Sequence, residues 1–186
     1  MLDEINMVAG TLFKQKKTGI RAYKKGQILQ SKGDRNSRLF FVKKGLVRSY
    51  DIDKNGKVHT FMFAISGQSI YDPNSLNTNK PSELFLDVIE DSLIETINLK
   101  LLDTSSISSK SKDVIISMLN TSLCELQNRV IKMMSASTYE RYEFFLQKYP
   151  DIANRIPQWM IASYLGITPE ALSNVKGKYY RQLRSA

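Results

Sequence analysis

The chain has one cysteine and one histidine, Cys124 and His59, in 186 residues. A lone cysteine cannot close an intrachain disulfide, and the pair together cannot supply the ligands of a structural zinc site or an iron–sulfur cluster. Metal-based sensing is not expected. Long apolar runs are missing as well. No window approaches the roughly 20 apolar residues of a membrane helix, and the N-terminal stretch lacks the basic start and apolar core of a signal peptide. These absences lead to the expectation of a cytoplasmic protein with no membrane partner. Catalytic ingredients are equally scarce. His59 falls in a predicted strand with neither a nucleophile nor paired carboxylates around it, so no enzyme is expected.

What is present is an ordinary globular composition, 42% apolar and 24% charged, in a chain long enough for one large domain or two smaller ones. The formal net charge is +9, which favours a polyanionic partner. The charge is unevenly spread. Lys14 to Arg48 holds twelve cations and a single acid, Asp34, and from Asn174 onward Lys176, Lys178, Arg181 and Arg184 stand with no acid. A solvated face is the plain reading of the first run.

Between Ile20 and Asn98 short apolar segments alternate with turn signals at "KKG", "KGD", "KKG" and "KNG". Asn55-Gly56, between "LVRSYDI" and "KVHTFMF", predicts a hairpin with a tight mirror-image turn, which needs positive φ at both central residues. Leu46, Arg48 and Tyr50, then Val58, Thr60 and Met62, alternate with their neighbours as a half-buried sheet does. Thr78–Pro81 is a polar break, and "LFLDVI" and "LIETI" read as two further strands. The region is expected to form an all-β sandwich or barrel. "LLDTSSISSKSKD" at 101–113 reads as a polar connection.

Beyond it the period changes. Ile116, Leu119, Leu123, Leu126, Val130 and Met133 are spaced 3, 4, 3, 4, 3, a heptad seam that calls for a partner helix. That partner is either the chain's own β region or a second copy in a parallel two-helix contact. Cys124 lies off the seam. Ser137-Thr-Tyr-Glu140 has the form of a capping box and starts another helix, which stops before Pro150.

The last segment, "IPQWMIASYLGITPEALSNVKGKYYRQ", predicts a short helix, a glycine turn and a second helix. Ile161 and Leu165 give the first helix an apolar face, and Ala162 between them allows a close crossing. Gly166 takes the turn, where positive φ costs nothing. Thr168 suits the N-cap and Pro169 the first helical position. On a wheel, Leu172, Val175, Tyr179 and Leu183 share one arc, and Glu170, Ser173, Asn174, Gly177, Arg181 and Arg184 share the opposite one. Short polar groups followed by cations suit a DNA major groove, the first reaching base edges and the second phosphates. The candidate DNA-binding residues are Thr168, Glu170, Ser173, Asn174, Lys176, Lys178 and Arg181. Lys176 falls on the apolar side and must snorkel.

With those residues laid out, the chain resembles the Crp/Fnr family of bacterial transcription regulators. The most specific piece is "IPQWMIASYLGITPEALSNVKGKYYR", which looks like short members of that family from Bacteroidetes-type bacteria; "YKKGQIL", "LFFVKKGLVRSY" and "FMFAISGQSI" support it. The resemblance implies an α+β fold of three parts. These are a cyclic-nucleotide-binding-like β-roll, jelly-roll-like, over 1–109, a dimerisation helix over 110–136 carrying the seam, and an all-α helix-turn-helix domain over 137–186. It also implies a homodimer on double-stranded DNA, with a near-palindromic operator and half-sites about 34 Å apart, and a contact with RNA polymerase.

The departures from the family are informative. Relatives that bind cyclic AMP hold it with a Gly-Glu pair and a later arginine. Here Tyr71-Asp72 stands in place of the pair, and no arginine follows near Glu83, so a phosphate beside Asp72 and Glu83 would meet like charge. Tyr71, Asp72 and Glu83 are the ligand-pocket candidates; cyclic AMP is not expected there, no cofactor is assigned, and no other effector is identified. In the reading helix, Pro169-Glu170 and Asn174 replace the family's Arg-Glu and later Arg, so the preferred operator differs. The rival function is a small-molecule sensor module whose helical tail binds protein instead of DNA.

Overall fold

A computed structural model describes residues 18–35, 37–77, 80–98 and 108–185. Lys14, Lys16 and Lys17 of the basic run, Thr78 and Asn79 of the polar break, and residues 101–107 of the polar connection lie outside these. In chain order the elements are β1 (Thr18–Tyr23), β2 (Ile28–Gln30), β3 (Arg38–Ile52), β4 (Val58–Ile65), β5 (Ser69–Ile70), α1 (Pro73–Asn77), β6 (Phe85–Asn98), α2 (Ser109–Ser135), α3 (Thr138–Lys148), α4 (Gln158–Leu165) and α5 (Pro169–Ser185). The fold is α+β, as expected. The described residues form two compact units, one made of residues up to Ile52 with Phe61–Thr121, the other of Asp53–Thr60 with the chain from Ser122 onward.

The first unit is built on β3 and β6. They pair antiparallel from Arg38↔Asn98 to Tyr50↔Phe85, and the path through the sheet is β1-β6-β3-β4, with β2 on β6 and β5 on β3. The segments "LFLDVI" and "LIETI", expected as two strands, are one continuous β6. Asp91-Ser92 does not break it because the Ser92 hydroxyl donates to the Glu90 carbonyl and accepts the Leu46 N–H at 3.2 Å. The register shifts opposite, between Val42 and Val47. Gly45 sits in that bulge with φ 108°, and a Cβ there would collide with Ser92.

The expected alternation at Leu46–Tyr50 is absent, since all five residues are buried. A strand covered on both faces keeps no polar side. Its one charged member, Arg48, is met by a bidentate pair with Asp87, Nε to Oδ1 at 3.0 Å and Nη2 to Oδ2 at 2.6 Å, under the Tyr50 ring. Such pairing is what makes a buried guanidinium tolerable. The core of the unit gathers Phe40, Val42, Val47, Ile70, Leu86 and Ile94. Within the N-terminal basic run, Lys24, Lys32, Lys43 and Arg48 meet Asp91, Asp51, Glu95 and Asp87, so the acids missing from that stretch of sequence are supplied by neighbouring strands.

The β3–β4 connection is a hairpin, but not with the expected two-residue turn. Gly56 N–H bonds the Asp53 carbonyl at 2.9 Å and Asp53 N–H bonds the Lys57 carbonyl at 3.0 Å, leaving Lys54, Asn55 and Gly56 as a three-residue loop with Gly56 at φ 78°. Asp53 selects this loop. Its Oδ1 accepts the N–H groups of Asn55 and Lys57, and its Oδ2 pairs with His59 at 2.8 Å, so His59 is a turn partner.

Candidate nucleic-acid interface

In the second unit three helices wrap one aromatic core. The capping box at the start of α3 is present, with Glu140 N–H on Ser137 Oγ at 3.3 Å and Ser137 N–H on Glu140 Oε2 at 2.7 Å. Phe145, Tyr149 and Tyr164 then meet ring to ring at 5.4–5.7 Å. The apolar face of α4, Ile161, Ala162 and Leu165, is buried on this cluster. The helix ends at Gly166, φ 68°, whose N–H returns to the Ala162 and Ser163 carbonyls. Thr168 Oγ1 then accepts the Ala171 N–H at 3.2 Å, and α5 starts at Pro169. Helix, left-handed glycine and capped second helix make a helix-turn-helix.

The arcs of α5 separate as the wheel places them, with one exception. Leu172 is buried and Tyr179 packs against Tyr139 and Tyr142, whereas Leu183, one turn further on, is exposed. The cover given by α3 ends at Tyr179. On the opposite arc Glu170, Ser173, Asn174 and Arg181 are all exposed, as is Thr168 at the cap. The Glu170 carboxyl is held below the usual carboxylate range by its own backbone N–H and the Thr168 hydroxyl, which keeps an ionised acceptor at the N-terminal end of the helix.

The cations are less uniform. Lys178 is exposed but leans over the Tyr139 ring, and Arg181 Nε donates to the Gly177 carbonyl at 3.2 Å. Lys176 is half-buried, with Nζ on Gln158 Oε1 at 2.7 Å. At 100° per residue it stands about 160° from Asn174, on the flank facing α4 instead of the outer face.

The heptad seam runs along α2. Ile116, Leu119, Leu123, Leu126, Val130 and Met133 are each 39–63% exposed in the single chain. No described element buries any of the six.

The ligand-pocket candidates are arranged differently from the expectation. Tyr71 is half-buried, which raises its hydroxyl pKa, and Glu83 is exposed. Asp72 is buried and turned inward as the cap of α1. Its Oδ1 accepts the Asn74 N–H at 2.9 Å, and its Oδ2 accepts the Ser82 hydroxyl at 2.7 Å and the Glu83 N–H at 2.8 Å. These are the kinds of donors a phosphate would need, and here they are taken by the chain's own acceptor. The residues therefore do not fit the phosphate of a cyclic nucleotide. Among the described residues there is also no group of three His, Cys, Asp or Glu that could hold a metal ion, and no helix long and apolar enough to cross a membrane.

Three features escaped the sequence. Arg129 and Arg141 reach the last carbonyls of α4, and Ser163 bonds the β3–β4 hairpin. Their partners lie 24 to 105 residues away in the chain, beyond any local spacing signal.

A sheet domain followed by a helix-turn-helix defines a class, and comparison with known proteins agrees. The Cyclic nucleotide-binding domain family matches residues 20–102. The "Anaerobic regulatory protein" of Aggregatibacter actinomycetemcomitans is 22% identical over 169 residues, 84% of this chain and 65% of that protein; this chain thus spans just under two thirds of its length. The fold matches FixK2 from Bradyrhizobium japonicum with a TM-score of 0.73 at 19% identity, covering 89% of this chain and 85% of that one. It also matches a CRP/FNR family transcriptional regulator from Thermus thermophilus, with a TM-score of 0.69 at 16% identity over 88% and 87% of the two chains. The class is that of a cyclic-nucleotide-binding-type sheet domain followed by a helix-turn-helix. Residues 20–102 thus resemble a cyclic nucleotide-binding domain, and the chain as a whole is similar to regulators of the Crp/Fnr type.

Proposed function

We propose that this chain is a sequence-specific DNA-binding transcription regulator that acts as a homodimer in the cytoplasm. The observation that carries the reading is the division of α5. Leu172 is buried and Tyr179 packed, while Glu170, Ser173 and Asn174 stand free of the core just past the Gly166 turn. Glu170 is suited to accept from a cytosine amino group and Asn174 to pair with adenine, with Lys178 and Arg181 meeting phosphates.

The exposed seam on α2 supports the two-fold arrangement. A second copy would bury it and present two reading helices to half-sites one helical turn apart. In this organisation residues 1–109 form the β domain, 110–136 the stalk and 137–186 the reading domain. The turned-in carboxylate of Asp72 argues for control without cyclic AMP. A contact between the β domain and RNA polymerase belongs to the same reading and is supported by the resemblance alone.

Salt titration tests the proposal. With DNA fragments selected from the source genome, affinity should fall linearly in log–log coordinates as salt rises from about 50 to 200 mM, with a slope set by the number of phosphates neutralised. Binding that ignores salt, or tight binding only to another protein, would favour the sensor module with a protein-binding tail.

A further inference from the structure

The last turn of α4 is held in an unusual way. An α-helix leaves its final four carbonyls without intrahelical partners. In α4 these belong to Ala162, Ser163, Tyr164 and Leu165. The Gly166 turn supplies the first two, through Gly166 N–H and Ile167 N–H. The other two take arginines from different helices: Arg129 Nη2 of α2 reaches the Tyr164 carbonyl at 3.1 Å, and Arg141 Nη1 of α3 reaches the Leu165 carbonyl at 3.0 Å. Cations at a helix C-terminus also interact favourably with the negative end of its dipole.

The same group of atoms grips the hairpin. Arg129 Nη2 also donates to the Thr60 carbonyl at 3.1 Å, and its guanidinium lies 4.2 Å from the centroid of the Tyr164 ring. Ser163 Oγ accepts the Thr60 N–H at 2.8 Å and donates to the Val58 carbonyl at 2.7 Å. One hydroxyl thus completes the edge of the hairpin as a neighbouring strand would. Burial lowers the pKa of Arg129, and the Thr60 and Tyr164 carbonyls and the Tyr164 ring are the partners that hold its guanidinium there. Here it fixes three segments at once: α2, the hairpin at Val58–Thr60, and the end of α4, one residue from the turn that launches α5.

We propose that Ser163, Arg129 and Arg141 are positioning residues for DNA reading. They clamp α4 to the hairpin and to the stalk, and through Gly166 they set the pose of the groove-facing side of α5. None of the three lies on that face, so they act on how well the reader is presented and not on which bases it prefers. The inference rests on the DNA-binding reading above.

The test uses full-length protein and variants Ser163→Ala, Ser163→Thr and Arg129→Met, with the selected duplex and its single-base variants. Ser163→Ala and Arg129→Met each remove two hydrogen bonds and should bind about 3- to 10-fold more weakly. Base preference should stay unchanged, and Ser163→Thr, which keeps the hydroxyl, should restore affinity. Amide hydrogen exchange on the free proteins should show faster exchange at Thr60 and over residues 160–176 in Ser163→Ala. Unchanged affinity in variants that stay folded would overturn the proposal, since a purely structural bond would move the melting temperature alone. If Arg129→Met fails to fold, Ser163→Ala and its threonine rescue decide. Should the wild-type protein bind no duplex, the DNA reading fails, and exchange decides the clamp: faster exchange reaching residues 169–176 upholds it, and an effect confined to Thr60 overturns it.

Discussion

On the proposed homodimer, replacing Leu123 and Leu126 by aspartate should leave a monomer. The six seam residues are each 39–63% exposed in the single chain, which amounts to about three fully exposed side chains per protomer and six per pair. At about 1.5–3 kcal/mol for each large apolar side chain taken fully out of water, pairing gains about 9–18 kcal/mol. Association itself costs about 4–15 kcal/mol. The surplus is small enough for two positions to decide the outcome. Leu123 is 63% and Leu126 39% exposed, so together they contribute about one side-chain equivalent per protomer, or about 3–6 kcal/mol per pair. Four carboxylates placed at the seam add a desolvation cost. The dissociation constant should therefore rise about 100- to 10,000-fold. Sedimentation velocity across nanomolar to micromolar concentration should show single-chain mass for the variant, with helical circular dichroism retained. A variant that dimerises as tightly as the wild type would refute the seam as the contact.

Gly166→Ala forces an L-residue to φ 68°, and the new Cβ meets the Met133 methyl at 2.9 Å. The thioether end can swing aside, so the left-handed backbone dominates, and thermal unfolding should show a loss of about 1–2 kcal/mol. Calorimetry with cyclic AMP should show no saturable heat, because Asp72 already occupies the N–H and O–H donors of its site; micromolar binding would overturn that account.

Much of the helical half was legible because its signals are local. The capping box at Ser137, the left-handed Gly166, the Thr168-Pro169 start and the outer arc of α5 all depend on residues within about four positions of one another. The sheet was harder to read. Asp91-Ser92 looks like a break in the sequence and becomes continuous strand only when Ser92 meets Gly45 and Leu46 on β3. Arg48 shares its alternating face with Leu46 and Tyr50, and only Asp87 on β6, far along the chain, shows how its charge is held. Asp72 reads as a charge in a pocket, and the structure turns it inward as a cap. Arg129, Arg141 and Ser163 carry no spacing signal, since their partners arrive through tertiary folding.

The central claim is that the exposed arc of α5 reads base edges. The most direct measurement is the affinity of wild type, Asn174→Ala and Arg181→Ala for a bound duplex and all its single-base-pair variants. Loss of Asn174 should flatten preference at one position in each half-site, by about 1–3 kcal/mol, while loss of Arg181 should weaken every duplex alike and reduce the salt slope by about one. Equal, sequence-blind losses from both substitutions would contradict the account.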